Sequence, residues 1–168
     1  MKYISTRDNT KEYNFEQVFI KGLADDGGLY VPKTLKKFSA EELIKLKNLN
    51  YNALSAEIIS LFSEDFISKE ELSSLINKSY STFREKEVVK ISNVGEIKLL
   101  ELFHGPTLAF KDVAMQLIGN LYEYYLSKNN KKINIVVATS GDTGAAAIDA
   151  IKGKSNLNIF VLHPNNRI

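Results

Sequence analysis

Apolar positions in the first half of the chain recur every three or four residues. In the second half they gather into short β-branched runs separated by longer helical stretches. Asn14 with Gln17 forms a capping-box pattern. Phe15, Val18 and Phe19 then share one helical face, and Gly22 stands where that helix would stop. Ala24 to Pro32, with Gly27 and Gly28 after two aspartates, reads as a tight turn and then a short extended segment. Three amphipathic helices follow. Ser39 with Glu42 caps the first, which carries Leu43, Ile44 and Leu46. The second runs from about Ala53 to Phe62. Ser68 with Glu71 caps the third, which bears Leu72, Leu75, Ile76 and Tyr80.

The pattern then changes period. Val88 to Ile91 and Ile97 to Phe103 read as strands, with Asn93-Val94-Gly95 as the hairpin turn between them. A long helix is expected from about Phe110 to Ser127, with Val113, Leu117, Leu121 and Tyr124 at helical spacing. Ile133 to Ala138 is a short apolar strand, a helix from about Thr143 to Ile151 is closed by Gly153, and Asn158 to Leu162 is a further strand. His163 to Asn166 reads as a turn.

Strands alternating with helices of this length predict an α/β fold with a parallel sheet. The expected division is a helical amino-terminal lobe over residues 1–84 and the start of a sheet domain over 85–168, parted near Arg84 to Glu87. Two parallel strands and one connecting helix are too little for a complete doubly wound domain. The expectation is therefore a piece of a longer protein.

Composition narrows the chemistry. Net charge is +2 and lysines outnumber arginines nineteen to three, so neither charge nor planar-fork donors favour nucleic acid. With no cysteine and only His104 and His163, thiolate chemistry is excluded and a histidine metal centre is unsupported. No apolar run reaches the roughly 18 residues of a membrane span, and the first residues lack a signal-peptide core. A cytoplasmic protein is the default expectation.

Two stretches carry candidate chemistry. The first is Leu102-Phe103-His104-Gly105-Pro106-Thr107-Leu108-Ala109-Phe110-Lys111-Asp112, which turns through Gly-Pro into the long helix. A lysine in a helix's opening turn meets a positive potential, and burial beside Phe103, Leu108 and Phe110 would act the same way; both favour a neutral amine able to form an imine. Taken alone, Lys111 reads first as one lysine among nineteen, reaching for solvent, and His104 first as a side chain that caps or packs locally. The second stretch is Thr139-Ser140-Gly141-Asp142-Thr143-Gly144. It leaves the carboxyl end of a strand and opens a helix, where open α/β sheets bind ligands. Its N–H groups and hydroxyls suit a carboxylate or phosphate, although an ordinary capped turn accounts for it as well. It is neither a Walker loop nor GxGxxG.

Together, His104-Gly105-Pro106-Thr107 with Ala109-Phe110-Lys111-Asp112, and Ser140-Gly141-Asp142-Thr143-Gly144-Ala145-Ala146, resemble the threonine synthase family of fold-type II pyridoxal-phosphate enzymes. Gly22 to Pro32 resembles that family's amino-terminal segment. The resemblance implies pyridoxal 5'-phosphate as cofactor, joined covalently at Lys111, which would also carry protons. Ser140, Gly141, Asp142 and Thr143 match the loop that holds the substrate α-carboxylate, Phe110 would flank the cofactor, and His104 and Thr107 would line the pocket. In related cysteine synthases an asparagine at the Asp142 position touches the cofactor's phenolic oxygen; an aspartate there needs a shared proton or another partner.

The implied reaction converts O-phospho-L-homoserine and water to L-threonine and phosphate. The resemblance also implies that the groups for the cofactor phosphate and pyridine nitrogen lie beyond residue 168, so the isolated chain is expected to be inactive or nearly so. Two other readings remain open: a phospho-lyase using the same lysine, and a non-catalytic fragment that mediates association through the helical lobe.

Overall fold

A computed structural model describes residues 1–165. The expected turn from His163 to Asn166 thus runs partly outside the described residues. The chain forms two compact units, Met1–Ser74 and Leu75 onward, and the division falls within one helix. Among the described residues, no helix is long and apolar enough to cross a membrane.

The first unit begins with β1 (Tyr3–Ser5), a strand absent from the sequence reading. It pairs antiparallel with β2 (Tyr30–Pro32) and places Tyr3 opposite Pro32. Three-residue strands leave almost no periodic signal, so only pairing reveals β1. Helix α1 (Phe15–Lys21) has the expected capping box from Asn14 and Gln17, and ends at Gly22 with φ of 74°. That left-handed backbone suits glycine, which has no Cβ to clash. Phe15 stacks on Phe19 with ring centroids 5.4 Å apart, and both tilt against Phe66. Helix α2 (Ala40–Lys47) has the Ser39–Glu42 box. Helix α3 (Tyr51–Ser63) starts earlier than expected, because Asn50 accepts the Ala53 N–H at 2.9 Å. Helix α4 (Lys69–Tyr80) opens on Ser68, whose Oγ accepts the Glu71 N–H.

The second unit holds an antiparallel hairpin, β3 (Lys90–Val94) with β4 (Ile97–Glu101). Val94 lies opposite Ile97, so Gly95 and Glu96 make the turn and Asn93 and Val94 belong to the strand. The glycine sets the turn position: Gly95 has φ of 62°, which suits the first place of a two-residue hairpin loop. Val88, expected to start the strand, is buried outside it with φ of 62°. Helix α5 (Asp112–Lys128), strand β5 (Ile133–Ala138), helix α6 (Asp142–Ile151) and strand β6 (Leu157–Leu162) follow. β5 and β6 are parallel, pairing Ile133 with Leu157 through Ala138 with Leu162, as the alternation of strand and helix predicted.

Helices α5 and α6 pack closely because of small residues. A Cβ on Gly119 would come within 2.6 Å of the Ala150 carbonyl oxygen, and Ala146, Ala147 and Ala150 are buried. Gln116 Nε2 donates to Asp149 at 2.6 Å, Lys154 Nζ donates to Asn120 at 2.7 Å, and Glu123 accepts the Asn156 N–H at 3.2 Å. These contacts climb α5 as they climb the chain from α6 towards β6. The two helices therefore run in the same sense, and their amino-terminal turns open at one end of the unit.

Candidate active site

The expected residues fall on two loops, one leading into each of those helices. On the first, Lys111 is the N-cap of α5, one residue before the helix proper. Tight turns explain the shift from the expected first helical turn. The Asp112 N–H donates to the Ala109 carbonyl at 3.0 Å, whereas the Lys111 carbonyl already accepts the Met115 N–H at 2.9 Å. Leu108 has φ of 65°, a conformation that costs a side-chain-bearing residue on the order of 1 kcal/mol and recurs at functional sites.

That turn sends alternate side chains inward and outward. Gly105, Ala109 and Asp112 are buried. Phe103, Leu108 and Phe110 are 51%, 50% and 59% exposed, so within this chain they do not bury Lys111 as expected. Lys111 is partly exposed, and its Nζ lies 4.3 Å from the Phe110 ring centroid. Among the described residues it forms no ion pair, which leaves the amine uncommitted.

His104 lies 2.7 Å, ring Nε2 to carboxylate Oε2, from Glu101, and its carbonyl accepts the Arg84 N–H at 2.8 Å. Hydrogen bonding from Ser92, then from His104, holds the Glu101 carboxyl below its usual range. His104 thus ties the loop to the end of β4. Both donors of Thr107 point at Asp112: its N–H to Oδ2 at 2.8 Å and its hydroxyl to Oδ1 at 2.7 Å. Asp112 is wholly buried and Gly105 lies against it. Sequence reading gave Asp112 no role, and only its acidic character at a helix start hinted at one.

The second loop is more open. Ser140, Gly141 and Asp142 are exposed and Thr143 is partly buried. Gly141 is the N-cap of α6, and no side chain caps that helix. Its N–H donates weakly to Thr139 Oγ1 at 3.3 Å. A Cβ on Gly141 would meet nothing within 4 Å, whereas one on Gly144 would come within 2.5 Å of Thr139 Cγ2. Gly144 therefore permits close packing of helix on strand, while Gly141 leaves open space over an uncapped helix start. Such a terminus attracts anions. The site thus has an amine without a counter-ion on one loop and an anion-favouring terminus on the other, both at the same end of the unit.

The parallel β5–α6–β6 unit, with an open loop at the carboxyl end of β5, places the chain among α/β folds whose ligand sites lie beyond their strand ends. Comparison makes the class specific. Residues 2–80 match the family described as threonine synthase N terminus. The chain is 42% identical over 169 residues to threonine synthase of Pseudomonas aeruginosa, covering 100% of this chain and 36% of that protein. It is 39% identical over 178 residues to threonine synthase of Schizosaccharomyces pombe, covering all of this chain and 35% of the relative. The crystal structure of pyridoxal-phosphate-bound threonine synthase from Brucella melitensis superposes with a TM-score of 0.94 at 41% identity, over 100% of this chain and 36% of that one. Over its whole length the chain is similar to threonine synthases, and it spans about a third of the length of the relatives it matches.

Proposed function

We propose that the protein converts O-phospho-L-homoserine and water to L-threonine and phosphate, with pyridoxal 5'-phosphate held at Lys111. The supporting observation is the uncommitted Lys111 amine, which opens at the same end of the unit as the uncapped start of α6. The donor set fits the cofactor: an amine free of carboxylate, an aromatic ring beside it, and a terminus that favours anions. When bound, the cofactor supplies an electron sink that makes protons on substrate Cα and Cβ removable.

The chain's own residues bind, orient and move protons. Lys111, once its amine is free and neutral, stands beside Cα to take the proton there and later return it. The N–H groups at the start of α6, with the hydroxyls of Ser140 and Thr143, hold the substrate α-carboxylate, and Gly141 gives it room to approach. Phe110 flanks the cofactor, and His104 and Thr107 line the pocket. Asp142 would meet the cofactor's phenolic oxygen through a shared proton, or that oxygen would take a different partner. Residues 1–84 form the amino-terminal lobe of this enzyme type, and 85–168 begin its cofactor domain. The chain by itself forms threonine far more slowly than the longer relatives do. The protein acts in the cytoplasm on a small molecule.

The test is product analysis in the intact protein. Lys111→Ala should lower threonine formation by roughly a thousandfold, as removing a proton-carrying group does. Wild-type rates in that variant would overturn the assignment of Lys111. Phosphate release without threonine would point instead to a phospho-lyase.

A further inference from the structure

Asp112 is a buried carboxylate without a cation. It is 0% exposed and, among the described residues, makes no ion pair. Burying an ionised group without compensation is costly, so a site that keeps one must hold it by hydrogen bonds or dipoles. Here a single residue supplies both hydrogen bonds. The Thr107 N–H reaches Oδ2 at 2.8 Å and its hydroxyl reaches Oδ1 at 2.7 Å. The amino terminus of α5, where Asp112 is the first residue, adds a favourable dipole.

The bonds close a ring of backbone from Thr107 to Asp112, and Lys111 is the last residue inside it. Within that ring lie the positive φ of Leu108 and the tight turn that ends on the Asp112 N–H. The fit is close on the other side too. A Cβ at Gly105 would come within 2.4 Å of Asp112 Cβ and 2.5 Å of Oδ2, so the turn before the ring is built around this carboxylate.

We propose that Asp112 and Thr107 form a latch that holds the Gly105–Lys111 loop in one conformation and so positions the Lys111 amine. Asp112 is a positioning residue: it acts through the loop, and Thr107 spends both of its donors on the latch, so it can line the pocket but brings no free donor to it. The role for the amine rests on the function proposed above, but the latch itself does not. A loop with a left-handed leucine does not hold such a shape unaided. An asparagine could still accept the Thr107 N–H on its oxygen and donate its amide to the Thr107 hydroxyl, whereas an alanine keeps neither bond.

The test uses the intact protein with Asp112→Ala, Thr107→Val and Thr107→Ser, each first checked for folding by its thermal transition. Two readouts are taken: amide hydrogen exchange across residues 105–112 without cofactor, and the rate at which borohydride traps pyridoxal phosphate on Lys111. Asp112→Ala and Thr107→Val should speed exchange in this loop at least tenfold, with the α6 start unchanged, and slow trapping at Lys111 at least tenfold. Thr107→Ser keeps both donors and should stay within about twofold of wild type on both. The latch is overturned if Asp112→Ala and Thr107→Val fold but exchange at the wild-type rate. It is overturned equally if Thr107→Ser is as damaging as Thr107→Val. Should Asp112→Ala fail to fold, the two Thr107 variants decide. Wild-type protein that traps nothing at Lys111 would refute the proposed function, and the exchange data would then decide the latch alone.

Discussion

The two loops at the candidate site are built in opposite ways. The loop into α5 is tied down by side chains: Glu101 to His104, Thr107 to Asp112, and Gly105 pressed against the buried carboxylate. The loop into α6 is held by backbone and by one close approach, Gly144 on Thr139, while Ser140, Gly141 and Asp142 face solvent. Reactive groups need fixed positions, because small displacements of a reacting atom cost rate steeply. An anion-binding terminus needs free N–H groups and space. The first loop is preorganised and the second is left open.

Substitutions sharpen that contrast, beginning with the largest expected effect. Gly105→Ala forces a Cβ into Asp112 and should cost about 3 kcal/mol, read as a lower midpoint in denaturant. Gly144→Ala meets Thr139 Cγ2 at 2.5 Å and should cost about 2 kcal/mol. Adding Thr139→Ser removes the clashing methyl, so the double variant should recover part of that loss. If Gly144→Ala alone is harmless, the second loop has no rigid anchor.

A smaller effect comes from pH. The folded protein holds the Glu101 carboxyl below its ordinary value of 4.5, through hydrogen bonds from Ser92 and then His104. Its contribution is therefore present above that value and is lost as pH falls from there through the lower folded-state value. Protection of the amides around His104, taken relative to their intrinsic exchange rates, should fall on acidification below about pH 4.5, and Glu101→Gln should flatten that dependence. The smallest effect is expected at Gly141→Ala. With open space around it, stability should stay within about 0.5 kcal/mol of wild type, while binding of a substrate carboxylate weakens.

Much of this fold was legible because its signals are local. The capping boxes at Asn14 and Ser39 need only a side chain and a helix start three residues apart. The β5–α6–β6 unit reads from period alone. What escaped depends on partners distant in sequence or on fine backbone geometry. β1 exists through its pairing with β2. The hairpin turn moved by the few residues needed to place Gly95 at positive φ. At the site, the sequence pointed to Lys111 and to the Ser140–Thr143 loop. It gave no sign that Phe103, Leu108 and Phe110 face outward, or that Thr107 turns both donors inward to Asp112. Those facts follow from the left-handed turn at Leu108, which no periodicity encodes.

The most direct test of the central claim, that Lys111 is the reactive amine, is to map where pyridoxal phosphate attaches. The intact protein is mixed with the cofactor and reduced with borohydride, and its peptides are analysed by mass spectrometry. A single dominant adduct on Lys111 is the expected result. Adducts scattered over the nineteen lysines, with no enrichment at Lys111, would contradict it.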